Sequence, residues 1–230
     1  MSSCANRKQQ DPQPIMQDNQ LAIIATHHLS INEWQMPPSL CQSNIGGRLH
    51  GSNACTVIST LTALHFLEGS LPLPQQIQDL SQIVPVYSHL IFKGNHIYSS
   101  FNLPRGQPNM DVKQVLDQKN ENFQKLTIIE DTGFFSSQNL QNYLTNYHDQ
   151  NPKFAAVLIV PPDKSMVLCF DQTVISLFES HSHGQQGAII STSSSGNVGH
   201  FVQYLERMAM RDWQTHLHGA NLAILGLKEP

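Results

Sequence analysis

Two short segments hold residue types that could carry out nucleophilic catalysis. Cys55 opens residues 53–67, NACTVISTLTALHFL, where Val57, Ile58, Leu61, Leu64 and Leu67 recur at helical spacing. It follows a loop, residues 36–52, that holds two prolines and three glycines. A cysteine in a helix's first turn meets unpaired backbone N–H groups and the positive end of the dipole. Both favour a thiolate, and the same N–H groups point at an oxyanion formed beside the sulfur. The second segment is FESHSHG, residues 178–184, at the end of an apolar strand pattern. In extended chain, residues two apart share a face, which would group Glu179, His181 and His183. A thiolate needs an imidazole as proton carrier, and the imidazole needs a carboxylate or amide to hold its tautomer. Gln42, thirteen positions before Cys55, supplies a side-chain amide that could complete an oxyanion hole.

Each of these residues has a plainer alternative. Most free cysteines are small buried apolar residues, and a His- and Ser-rich turn can be only a polar hairpin. His181/His183 and His216/His218 are two His-x-His pairs which, with Glu179, would suit zinc if they converged. His181 is favoured as base, with His183 next on the same strand face. His200, in GNVGHFVQYL, reads as part of a helix start with Phe201, Val202 and Leu205 turned inward. The histidines at 27, 28, 50, 65, 89, 96 and 148 have no carboxylate at useful spacing, although His50 precedes the nucleophile closely. Gly46 and Gly47 read either as walls of a narrow channel or as turn glycines. Trp34 and Trp213 read as core contacts.

Positioning these groups requires a helix under Cys55 and a sheet under Glu179. Residues 1–20 are polar, rich in Gln and Asp and broken by Pro12 and Pro14, and read as a disordered tail. Residues 21–230 read as one domain. LAIIA from Leu21 suggests an edge strand. Helices are expected at 53–67, capped by Ser52 or Asn53, at 74–83, at 110–118 capped by Asn109, at 137–149 capped by Ser136 or Ser137, and at 198–210. Strand patterns fill FQKLTIIE, FAAVLIV, SMVLCF, VISLFES, GAIISTS and NLAILGL, with short links at 161–164 and 171–173. Residues 87–109 read either as part of a substrate surface or, more simply, as a connecting segment. The order implies an α+β fold, a helical lobe carrying the nucleophile and leaning on a mostly antiparallel sheet.

Composition narrows the class. Lys and Arg total 13 against 17 Asp and Glu, so net −4 argues against a nucleic-acid binder. Only 13% of residues are charged, about half the usual share, and 23 glutamines and 12 histidines carry much of the polarity. No apolar run approaches a membrane span, and the first twenty residues lack the apolar stretch of a signal peptide. Four irregularly spaced cysteines (Cys4, Cys41, Cys55, Cys169) with no CxxC imply free thiols, not a disulfide scaffold. The expected setting is an intracellular reducing compartment, cytoplasmic or a host's cytosol if the protein is an exported effector.

A loop glutamine, then GSNACTVISTLTALHFL opening a helix, then an acid-x-His step in FESHSHG followed by GAII resembles the deubiquitinating cysteine proteases of herpesvirus large tegument proteins. It is still more similar to the viral-tegument-like deubiquitinases, where DSHSHG-type segments recur. The similarity spans roughly residues 40–230, its specific part three short segments. It implies a papain-like fold and hydrolysis after the C-terminal glycine of ubiquitin or a ubiquitin-like modifier; no cofactor or metal is expected. Cys55 would be nucleophile, His181 general base, Glu179 its orienting acid and Gln42 the oxyanion donor. The family has Asp where this chain has Glu179, and triad geometry responds to shifts of about 1 Å. The alternatives are a catalytically weakened papain-like fold that binds ubiquitin, and a His-ligated metal hydrolase.

Overall fold

The structure is a computed structural model describing residues 24–28, 30–48, 51–74, 80–103 and 109–229. The polar segment 1–20, Leu21, His50 and the first residues of the expected helix at 74–83 lie outside them. Eight strands form one sheet in the order β1-β2-β7-β6-β5-β4-β8-β3. They are β1 (Ile24–His28), β2 (Ile31–Gln35), β3 (Leu126–Phe134), β4 (Phe154–Val160), β5 (Lys164–Phe170), β6 (Val174–Glu179), β7 (Ile189–Ser194) and β8 (Ala220–Leu227). Every pairing among them is antiparallel. The links at 161–163 and 171–173 are hairpins joining β4, β5 and β6, as their spacing predicts.

Five helices cover the sheet: α1 (Cys55–Leu67), α2 (Leu80–Ser100), α3 (Val112–Asp117), α4 (Ser137–Gln150) and α5 (Val198–Trp213). They do not gather into one lobe. α1, α2 and α3 share a core with Ala155, Val157, Val167, Cys169 and Phe178 on one face of the sheet. α4 and α5 share another with Ala156, Leu158, Met166, Leu168, Ile175 and Leu177 on the opposite face. The reason lies in the central strands. FAAVLIV and SMVLCF are apolar at successive positions, so both faces need cover. At about 25 cal/mol per Å² of apolar surface, burying both faces is the main stabilisation of the fold.

Three local expectations need correction. α2 runs unbroken through 87–100, where a connecting segment was expected, despite Pro85 within it. Ile83, Tyr87, Leu90, Ile91 and Ile97 fall on one buried stripe, and Gly94 lets the helix press against Ile58, whose Cγ1 would sit 2.5 Å from a Cβ at 94. α3 is capped by Asp111 and not Asn109: Asp111 accepts from Gln114 N while the Gln114 side chain accepts from Asp111 N, a capping box. Strand β2 joins β1 to β7 and has no counterpart among the expected elements. α4 takes Ser136 as cap, as read.

Candidate active site

Cys55 is the first residue of α1 and 2% exposed. Eleven of the thirteen residues of α1 are buried, so the helix lies between the sheet and α2 and α3. Two of its threonines settle their hydroxyls locally: Thr60 donates to the Thr56 carbonyl and Thr62 to the Ile58 carbonyl, at 2.7 and 2.8 Å. The β-branched residues that weaken it as an isolated helix are held by burial. Its N-cap position is Ala54, which makes no side-chain cap; Ser52 Oγ instead accepts from Ala54 N at 3.2 Å. The first N–H groups of α1 therefore lack intrahelical partners beside the Cys55 sulfur.

Gln42 ties the loop before Cys55 to the segment carrying the histidines. Its Nε2 donates to the Ser52 carbonyl at 2.7 Å, and its Oε1 accepts from Ser180 Oγ at 2.8 Å. Its backbone N–H donates to the Ser180 carbonyl, and its carbonyl accepts from Asn95 of α2. Asn95 also meets Ser52 Oγ. The loop crosses the start of β7 where a Cβ at Gly187 would lie 2.2 Å from the Pro37 carbonyl oxygen, so only glycine fits.

β6 ends at Glu179, and the chain then curls instead of continuing as a strand. The common face expected for Glu179, His181 and His183 therefore does not arise from extended backbone. The three meet because the turn wraps round the carboxylate. Glu179 is fully buried and accepts from the His181 backbone N–H through both oxygens. Its Oε1 accepts from His181 Nδ1 and its Oε2 from His183 Nε2. His183 Nδ1 donates to Asp212 of α5 at 2.7 Å. Trp213 stands edge-on to His181, ring centres 6.0 Å apart, and tilted against His183 at 5.8 Å.

Cys55 and His181 line the same cleft, and each shifts the titration of the other. Cys55 Sγ also lies 3.7 Å from the Asp163 carbonyl oxygen, and Ser165 contributes further hydrogen bonds. Burial alone would push the thiol up; the bond to His181 and its charge bring it below its ordinary value. Burial likewise opposes charge on His181, but the Glu179 carboxylate and Cys55 outweigh it and push the imidazole up to about 10. Burial works against ionised Glu179, and His181 and His183 together hold it well below the usual carboxylate range. The other buried thiols lack this company: burial raises both Cys41 and Cys169. Both shifts favour a thiolate–imidazolium pair, which is what acyl transfer by cysteine requires.

These groups border an open cleft of about 290 Å³ lined by Asn53, Cys55, Asn109, Asp163, His181 and Trp213 among others. Cys55, His181 and Glu179 are brought together, and His183 joins them on the far oxygen of Glu179. Gln42 is buried behind the cleft and absent from its lining. Gly46 and Gly47 form a turn beside Phe92 and do not line it, whereas Gly51 does. His200 is exposed on α5 and borders a different cavity, between β2 and α5, while Phe201, Val202 and Leu205 turn inward as read. His216 bonds Glu206 and His218 bonds the Phe135 carbonyl, so the two His-x-His pairs do not share a site. Among the described residues, no three His, Cys, Asp or Glu are grouped as a metal ion would need.

Four residues at or behind the cleft, Asn109, Asp163, Trp213 and Asp212, were given no part in the site by the sequence. Asn109 donates to Asp163 Oδ2 at 2.6 Å, Asp212 anchors His183, and Trp213 lines the cleft while also packing against the core, as read. All are far from Cys55 along the chain and carry no periodic signal; only the capping role expected of Asn109 marked it at all.

No family model matches the chain, and no curated protein matches it. Among solved structures, its fold is similar to that of the ubiquitin-specific protease encoded by murine cytomegalovirus tegument protein M48, solved in complex with a ubiquitin-based suicide substrate. The TM-score is 0.54 at 8% identity, over 84% of this chain and 86% of the other. At that identity the likeness is one of fold. No helix among the described residues is long and apolar enough to cross a membrane.

Proposed function

We propose that this protein is a papain-like cysteine protease, a deubiquitinase that cleaves after the C-terminal glycine of ubiquitin or a ubiquitin-like modifier. The observation that carries the reading is the buried chain Cys55–His181–Glu179 on the wall of an open cleft, with Cys55 at a helix N-terminus. The fold likeness to a viral ubiquitin-specific protease supports the substrate class. We place the catalytic domain within residues 21–230.

In this reading the Cys55 thiolate attacks the carbonyl carbon of the modifier's last glycine, and the first N–H groups of α1 hold the resulting oxyanion. His181 gives its proton to the leaving lysine amine as the C–N bond breaks, leaving a thioester. Water then loses a proton to His181 and attacks the thioester, releasing the carboxylate, and the proton returns to the Cys55–His181 pair. Glu179 fixes the His181 tautomer. Despite its extra methylene relative to Asp, the carboxylate meets His181 directly, which supports this role. Gln42 supports the oxyanion donors by holding Ser52 and Ser180, with its amide nitrogen committed to the Ser52 carbonyl. A narrow cleft admits a glycine-ended tail because backbone without side chains can thread it.

The test is incubation with ubiquitin bearing a C-terminal thiol-reactive electrophile. Native protein should gain one ubiquitin mass, and Cys55→Ala should gain none. Folded native protein that forms no adduct with any modifier overturns the reading; binding without turnover selects the catalytically weakened alternative.

A further inference from the structure

Glu179 differs from a shorter acid in having one more rotatable bond, and a carboxylate so mounted has more ways to miss its imidazole. Here its second oxygen is not free. His183 Nε2 donates to it, and His183 Nδ1 donates to Asp212 Oδ2 at 2.7 Å. Asp212 is itself gripped by Arg211, whose Nε and one terminal nitrogen donate to its two oxygens, each at 2.7 Å. Both oxygens facing His183 belong to carboxylates that only accept, so both ring nitrogens must carry protons. His183 is therefore an imidazolium, 5% exposed, wedged between two anions. With the thiolate–imidazolium pair, charge alternates strictly along Arg211, Asp212, His183, Glu179, His181 and Cys55. The titratable and charged groups facing His183 are Glu179 from β6 and Asp212 from α5, with His181 on the same turn. Arg211 lies one step beyond, and Glu33 of β2 is 4.0 Å beyond Arg211.

We propose that His183 and Asp212 are positioning residues for the proposed reaction, holding the long Glu179 carboxylate in the one orientation that serves His181. The inference rests on the cysteine-protease reading of this site. Neither residue lines the cleft, so neither touches substrate. Asp212 keeps the proton on His183, and the charged His183 clamps Glu179 and shares its negative charge, which leaves His181 able to release its proton.

The decisive variant is Asp212→Asn, which preserves shape and removes the charge that holds His183 protonated. Imidazole ¹⁵N NMR should show His183 charged through neutral pH in the native protein and titrating there in the variant. On a ubiquitin C-terminal fluorogenic amide, kcat should fall about tenfold near pH 8 and much less near pH 6, with KM unchanged. Asp212→Glu should restore most of the loss, and His183→Gln should show a deficit that does not vary with pH. In a Glu179→Gln background Asp212→Asn should cost nothing further, because its effect passes through that carboxylate. A purely structural role would give an equal loss at both pH values and in both backgrounds, and that result, or no loss at all, overturns the inference. Should native protein fail to turn over ubiquitin, the deubiquitinase reading falls. The alkylation rate of Cys55 by iodoacetamide, read by peptide mass, and the NMR titration would still decide the role of His183 and Asp212.

Discussion

Two pairs of histidines share one spacing and have little else in common. His181 and His183 are 9% and 5% exposed and close on opposite oxygens of a single buried carboxylate. The His216 side chain is 64% exposed, its partner Glu206 lies at the surface rim, and His218 leans on Phe135, itself 79% exposed. Water screens the second pair, where an ion pair is worth about 0–1 kcal/mol. In the first pair water is excluded, so each charge depends on its neighbour and each proton has an assigned place. Identical spacing can become chemistry only where a strand end delivers it into the interior beside a reactive group such as the Cys55 thiol.

The largest effect that would sharpen this contrast falls on Cys55 and His181. Cys55→Ala should abolish hydrolysis of a ubiquitin amide, and His181→Ala should lower kcat by roughly a thousandfold or more, measured by fluorogenic turnover. If His216→Ala or His218→Ala lost as much, the comparison would collapse.

Glu179→Gln comes next. It keeps the shape but leaves two imidazoles beside a neutral amide, and should cost about 10²-fold in kcat together with about 3 kcal/mol of stability in urea unfolding. The pH dependence of stability should follow the same groups. The folded Glu179 carboxyl lies below its ordinary value, so its contribution is present above that value and lost as pH falls through the folded one. His183 lies above its ordinary value, because Glu179 and Asp212 outweigh burial. Its contribution is complete below about 6.5 and lost as pH rises through the raised value. Melting temperatures across the pH range should therefore show a plateau near neutrality that Glu179→Gln flattens.

A third measurement is kcat/KM against pH. Cys55 is lowered and His181 is raised to about 10, and both shifts favour the ion pair. The alkaline limb should fall near that upper value, and the acid limb should lie below the ordinary thiol range. An acid limb at the ordinary thiol value would show that the pair does not form.

The smallest effects are expected at the exposed pair. His216→Ala and His218→Ala should change stability by about 0.5 kcal/mol or less and leave turnover unaltered. Treatment with a chelator should leave turnover unaltered as well. Loss of activity on chelation would restore the metal reading that the separate partners of the two pairs argue against.

Much of the frame was legible along the chain. The apolar runs at 154–160, 165–170 and 174–179 announced three adjacent strands, and the spacing of Val57, Ile58 and Leu61 announced the helix behind Cys55. Ser136 and the inward residues of α5 were equally plain. α2 was not, because its buried stripe of Ile83, Tyr87, Leu90 and Ile91 is diluted by Pro85, Gly94 and two histidines. Glycine at 94 looks like a breaker until Ile58 of α1 is seen pressed against it. Gln42 reads along the chain as an oxyanion donor, and its bond to Ser180 emerges only when residues 138 apart are brought into contact.

The sequence by itself determined the elements and the chemical types, because periodicity, caps and side-chain chemistry are local properties. It placed a cysteine at a helix start and an acid-x-His step at a strand end. Whether those two ends face each other is a long-range matter of sheet order, with β6 beside β5 and α1 laid across both. The tertiary structure decided that the turn after Glu179 curls, that Asp212 on the opposite face's helix reaches round to His183, and that His216 and His218 stay in water. Burial and proximity decide which groups hold protons, and neither is a property of spacing along the chain.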